Sequence, residues 1–418
     1  MDAQQSKVRR SPNLRAIAFY LPQFHPIPEN DEWWGQGFTE WRNVAKARPL
    51  FPGHYQPHVP ADLGFYDLRL PDTREAQAEL AQQYGIHGFC YYHYWFNGSR
   101  ILERPFAEVL SSGKPDFPFC LCWANENWTR IWDGGAQQIL LEQNCSAEDD
   151  LAHIRALIPA FADARYIRID GRPVFLVYRT ELLPEPARTA EIWRREVSAV
   201  GLGDLYLVRV ENFVSGVDPK KIGFDAAVEF APNGVNVGKV KFRGPIHRFL
   251  ATLGLLPRIY IDGKVINYRA LMLAMLAKAD PRFKRFRCVT PKWDNTARRQ
   301  SGAHIYVGST PQLYGAWLAE IATQTVENFS LEERFIFINA WNEWAEGCHL
   351  EPDLNWGRQY LEATKAALDS VNNAVIPADD ESPMARRSYS KAKGVYWQTL
   401  AFLAEQRDLL NNLLGRQG

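Results

Sequence analysis

Neither sign of charge is in excess: Lys plus Arg and Asp plus Glu each number 48, so the formal net charge is zero. That removes the broad basic field by which a whole chain holds nucleic acid or an anionic membrane. Cysteine is sparse, six in 418 residues, and no CxxC pair occurs. Cys90, Cys120, Cys122 and Cys288 lie in apolar runs, where cysteine acts as a small hydrophobe, so neither a disulfide framework nor a zinc site is expected. No apolar run reaches the ~18 residues a spanning helix needs. The opening MDAQQSKVRRSPN carries no apolar signal region, and a cytoplasmic chain is expected. The phosphate-cradling loops GxxxxGK[ST] and post-strand GxGxxG are missing, as is the GxSxG nucleophile elbow. His54 and His58 stand four apart, but Pro57 and Pro60 argue against one helix presenting both, so no metal and no cofactor is expected.

Aromatic residues, by contrast, make up 13% of the chain, with 14 Trp. Their flat apolar faces and polar edges suit the C–H faces and hydroxyl rims of sugars, or simply a ring-rich core. Position along the chain separates these readings.

Eight short, nearly continuous apolar runs recur: Arg15–Tyr20, Ile86–Tyr92, Phe117–Trp123, Val174–Tyr178, Leu205–Val210, Asp225–Phe230, Phe286–Thr290 and Arg334–Asn339. Such runs fit strands buried on both faces. Helical patterns fall between them at Asp72–Tyr84, Ala147–Ala162, Pro186–Val200, Tyr268–Ala279, Pro311–Thr325 and Gly357–Val371. The alternation predicts a single (β/α)8 TIM barrel over residues 15–372 with a long first βα loop. A short Glu211–Gly223 connection and a poorly marked seventh strand leave a doubly wound open sheet as the alternative. Residues 1–14 read as a tail, 373–392 as a Pro/Ser/charge-rich linker, and 393–418 as an amphipathic helix. That helix is suited to docking on its own barrel, a partner or a second copy. The basic stretch Lys239–Arg248 (KVKFRGPIHR) reads as a solvated loop or a contact for phosphate or anionic lipid.

In a parallel barrel, functional side chains gather where strands end. The residues there are chemically one-sided. Tyr20, Gln23 and His25 follow the first run; Tyr92, His93 and Trp95 the second; Trp123, Asn125, Glu126 and Trp128 the third. Tyr178, Glu211 and Glu229 end the next three, Trp293 and Asp294 follow the seventh, and Trp341 and Asn342 the eighth. With Trp34 of the long first loop, these are the expected contacts of a polyhydroxylated substrate. Glu343 and Glu346 complete the last segment as the expected catalytic pair. Glycosyl transfer needs two acid–base groups near the anomeric carbon. Three residues apart on a helical turn, two carboxylates share a face; on an extended segment they diverge.

Five segments, AFYLPQFHPIPENDEWWGQGFTEW, GFCYYHYWF, CWANENWT, GRPVFLVY and NAWNEWAEG, together resemble the WbsX-like family. That family is similar in turn to glycoside hydrolase family 99, the endo-α-mannosidase type. The resemblance spans roughly residues 15–370. It implies a (β/α)8 barrel with a metal-independent retaining site in which Glu343 is base to the sugar 2-hydroxyl and Glu346 the general acid/base. It also implies that Tyr20 hydrogen-bonds a catalytic carboxylate. Ala345 stands where the hydrolases often have His. WbsX-like proteins are described as glycosyltransferases of O-antigen and capsule assembly, so the implied partner is an oligo- or polysaccharide, with peripheral contact to membrane-bound glycan assembly. A sugar-nucleotide-dependent transferase and a non-catalytic glycan binder are the alternatives.

Overall fold

The computed structural model describes residues 14–130, 135–238, 244–299 and 301–372. The expected linker, the C-terminal helix and Lys239–Arg243 lie outside the described residues. Eight strands form the centre: β1 (Arg15–Tyr20), β2 (Ile86–Phe96), β3 (Phe119–Trp123), β4 (Arg172–Val177), β5 (Tyr206–Glu211), β6 (Ala226–Glu229), β7 (Arg285–Val289) and β8 (Phe335–Ile338). Every neighbouring pair is parallel, and β1 pairs with both β2 and β8. The sheet therefore closes on itself, which overturns the open-sheet alternative.

Burial explains the apolar runs. All residues of β3, β5, β6, β7 and β8 are buried, because helices cover the outer face and side chains fill the inner one. Inside the ring, Phe19 packs against Phe230, Phe337 and Tyr92 with centroids 5.3, 5.6 and 5.7 Å away. These rings plug the barrel.

The outer helices are Pro71–Gln83, Arg104–Ser112, Ala147–Ala162, Pro186–Ala199, Tyr268–Leu276, Pro311–Asn328 and Gln359–Asn372. Local chemistry sets their starts. Ser146 accepts a hydrogen bond from the Asp149 backbone N–H, with Glu148, Asp149 and Asp150 in the first turn, where the helix dipole favours acids. Thr310 does the same for Leu313. Gly315 lets the last two helices close: a Cβ there would stand 3.3 Å from that of Ala363. Only a 3-10 turn, Pro219–Ile222, joins β5 to β6, which accounts for the short connection. No helix of the described residues is long and apolar enough to cross a membrane.

The first loop folds over the strand ends through two short helices, Pro28–Trp34 and Glu40–Lys46. Trp41 anchors it, its ring 4.6 Å from Phe24 and 5.5 Å from Trp344.

Candidate active site

The segment after β8 is extended through Asn342–Glu343, where it pairs antiparallel with Cys348–His349, then turns as a 3-10 helix over Trp344–Glu346. The turn ends at Gly347, whose φ of +61° favours glycine and whose hypothetical Cβ would lie 3.0 Å from Asp294. The two acids are thus not on an α-helix, yet they converge. One guanidinium, Arg298, donates to Glu343 Oε2, Glu346 Oε1 and Glu40 Oε2, each at 3.0 Å.

All of this opens into a cleft of about 240 Å³ that is lined by Glu343, Glu346 and Arg298 together with Gln23, Trp34, Tyr92, Tyr94, Glu126, Trp128 and Tyr178. Asn30, Asn127, Thr129 and Phe230 complete much of its wall. Burial pushes Glu343 up to about 8 against the pull of Arg298, and the nearby charges of Glu346 and Glu40 add to it. Arg298 is held firmly charged: burial opposes its charge, but the three carboxylates outweigh it. Glu126 also lies above the ordinary carboxylate range through burial, despite its ion pair with Arg179.

Several expected contacts lie elsewhere, and the reason is geometric. β2 runs on to Phe96, so its residues alternate between faces. Tyr92 and Tyr94 face the cleft. His93 and Trp95 face outward: His93 Nε2 lies 2.9 Å from His153 Nε2, and Trp95 donates to Asp149 at 3.0 Å. Burial lowers His93 to about 3. Trp123 likewise packs outward on His153 and Trp193. Tyr20 bonds neither Glu343 nor Glu346; its hydroxyl donates to Gln77 Oε1 at 2.7 Å. Gln77, Tyr66 and Trp344 in turn donate to buried Glu351 behind the site, which burial raises to about 7.

Two amides expected to bind hydroxyls clamp backbone instead. Asn342 accepts from Leu21 N–H at 2.7 Å and donates to Leu21 C=O at 3.0 Å; Asn125 bonds both backbone groups of Arg179 in the same way at 2.8 Å. Asp294 is buried with His54 (2.6 Å), Gln56 and Thr296; burial raises it, but these bonds and the charges of His54 and His58 leave it below the usual range. Trp293, Trp341 and His25 are buried outside the cleft lining, with His25 lowered to about 4 by burial. Glu211 and Glu229 lie in a closed ionic cluster with Lys278, Arg209, Arg285 and Arg287. Conversely, Arg298 escaped sequence reasoning as a site residue, and Glu40 was read only as part of the long first loop that roofs the cleft or packs against it. The two sit 258 positions apart, and nothing local links Arg298 to the acids it joins.

His58, His349 and Asp353 form a buried group whose ligand atoms lie within 4.8 Å of one another. The Lys292 ammonium pairs with Asp353 there, so a cation already neutralises the carboxylate.

The family model described as Glycosyltransferase WbsX matches residues 16–364. Two relatives, both named Uncharacterized protein WxcX and from two strains of Xanthomonas campestris pv. campestris, are 46% identical over 352 residues. The match takes in 84% of this chain and 49% of theirs, so the chain spans about half the length of these relatives. Among solved structures, the GH99 endo-alpha-mannosidase from Bacteroides thetaiotaomicron superposes with a TM-score of 0.52 at 15% identity. That likeness covers 85% of this chain and 97% of the mannosidase, and it concerns the fold.

Proposed function

Because the chain belongs to the WbsX glycosyltransferase family, we propose that it cleaves or transfers a glycosidic bond in surface-polysaccharide metabolism, with Glu343 and Glu346 as its acid–base pair. The observation that carries this reading is the convergence of both carboxyls on Arg298 inside one aromatic-walled cleft. Trp34, Trp128, Tyr92 and Tyr178 offer flat faces to sugar C–H surfaces, and Gln23 and Asn127 offer amides to hydroxyls.

The chemistry follows a retaining course. One carboxylate takes the proton of the sugar 2-hydroxyl as its oxygen attacks the anomeric carbon. The glycosidic C–O bond breaks, and the departing oxygen takes a proton from the other carboxyl. Water, or a hydroxyl of a second sugar, then opens the anhydro ring, which separates hydrolysis from transfer. The resemblance implies Glu343 as base. The burial of Glu343 favours the reverse: pushed up to about 8, Glu343 holds a proton at neutral pH and is placed to donate it, which leaves the base role to Glu346.

The test uses aryl and unactivated α- and β-glycosides of mannose, glucose and galactose, with NMR of the first product anomer. Retention of configuration is expected. Glu343→Gln and Glu346→Gln should each lower turnover of unactivated substrate by about 10²-fold or more. A good aryl leaving group needs no proton, so it rescues only the variant lacking the acid. Rescue of Glu343→Gln supports the assignment made here; rescue of Glu346→Gln alone restores the opposite one. Full activity of either variant on unactivated glycan removes the two-carboxylate reading. The family description keeps a sugar-nucleotide donor in view, and calorimetry with uridine and guanosine diphosphates separates it: tight binding favours that donor. An oligosaccharide that binds and is never altered leaves a glycan-binding role.

A further inference from the structure

Between β6 and β7 the chain makes a short excursion. Helix Pro245–Thr252 and the one-turn helix Ile259–Asp262 pack with Lys264–Asn267 and His304–Val307 into a satellite cluster of Ala251, Ile259, Tyr260, Val265, Ala303 and Ile305. The longer helix buries Ala251 on that cluster and turns its large apolar residues the other way. Ile246, Phe249 and Leu253 stand three and four apart, which puts them on one stripe. They are 65%, 61% and 58% exposed, and Leu255 beyond them is 69% exposed.

Four large aliphatic and aromatic side chains presented together to water are a binding surface, not a scatter of surface residues. The charge of the same stretch identifies what it meets. From Lys239 to Lys264 there are six basic residues (Lys239, Lys241, Arg243, Arg248, Arg258 and Lys264) against one acid, Asp262, an excess of five in a chain whose net charge is zero. An apolar stripe within a stretch of sequence in positive excess is the composition of a helix that lies in the headgroup layer of an anionic bilayer. A second copy fits less well, since a two-fold contact would set the positive stretch against itself.

We propose that residues 244–258 dock this protein on an anionic lipid surface, with Ile246, Phe249, Leu253 and Leu255 entering the headgroup–acyl boundary. The docking requires no chemistry at Glu343 or Glu346 and stands apart from the catalytic reading.

Co-sedimentation of the full chain with vesicles tests it. The protein should pellet with phosphatidylcholine–phosphatidylglycerol vesicles, stay in solution with phosphatidylcholine alone, and be released by high salt. Phe249→Ser combined with Leu253→Ser should weaken binding at least about tenfold. Arg248→Glu combined with Arg258→Glu should do the same. All four side chains are exposed, so thermal unfolding should not move and lost binding cannot be put down to lost folding. Equal binding to neutral vesicles, no binding to either kind, or undiminished binding of both double variants overturns the proposal. So does a dimer, seen by light scattering, that Phe249→Ser disperses while lipid binding is absent.

Discussion

The barrel carries two sets of buried or partly buried carboxylates near its strand ends, and they differ in how many cations face them. At the cleft, Glu40, Glu343 and Glu346 converge on Arg298. Beside β5, β6 and β7, Glu211 and Glu229 meet Arg209, Lys278, Arg285 and Arg287. The outcome is opposite at Glu343 and Glu229. Burial prevails at Glu343, which rises to about 8. At Glu229 burial pulls the same way, but Arg287, Arg285 and Lys278 outweigh it and the group stays below its ordinary range. The first arrangement leaves a proton available to chemistry; the second locks charge into structure.

The sharpest way to break this contrast is Glu229→Gln. It leaves buried cations uncompensated and should cost roughly 3–5 kcal/mol of stability by chemical denaturation. The folded fraction should keep its turnover; a kinetic defect without a stability defect would place Glu229 in the site after all.

The next effect is on pH. Glu343 as proton donor predicts a rate that falls about tenfold per unit above a pH of about 8. Glu343→Gln should abolish that limb. Arg298→Gln should move it to higher pH, since the guanidinium is what favours the ionised form. An unmoved limb would detach it from this pair. Stability carries the same signature: the folded chain holds the Glu343 proton more tightly than the unfolded one, so this contribution declines as pH rises from the usual carboxylate range to about 8.

The smallest effect belongs to the cleft wall. Trp34→Ala removes one aromatic face and should raise KM several-fold, about 1 kcal/mol, with kcat nearly kept. A large loss of kcat instead would make the first loop part of the chemistry.

Much of the barrel was readable before folding. Runs such as Phe335–Ile338 are apolar throughout because both faces are buried, and that composition is visible in the chain itself. The helix starts at Ser146 and Thr310 rest on contacts within one turn, each side chain accepting from a backbone N–H three residues on. The acid pair was readable too, because Glu343 and Glu346 are near neighbours among tryptophans. His93 and Trp95 were misplaced for a specific reason: the aromatic stretch that looked like a loop continues β2, and alternation sends every second ring outward.

By itself, then, the sequence determined the eight buried strands, six of the seven outer helices (Arg104–Ser112 was not expected) and the nearness of two acids, since period and composition are properties of contiguous residues. Only the tertiary structure decided that Arg298 joins those acids, that Glu40 reaches the same guanidinium from the first loop, and that Glu211 and Glu229 belong to a closed cluster. Arg298 is 258 positions from Glu40 and 45 from Glu343, and Glu211, Glu229, Arg285 and Arg287 come from neighbouring strands, so loop folding and strand pairing, not local sequence, bring these partners together.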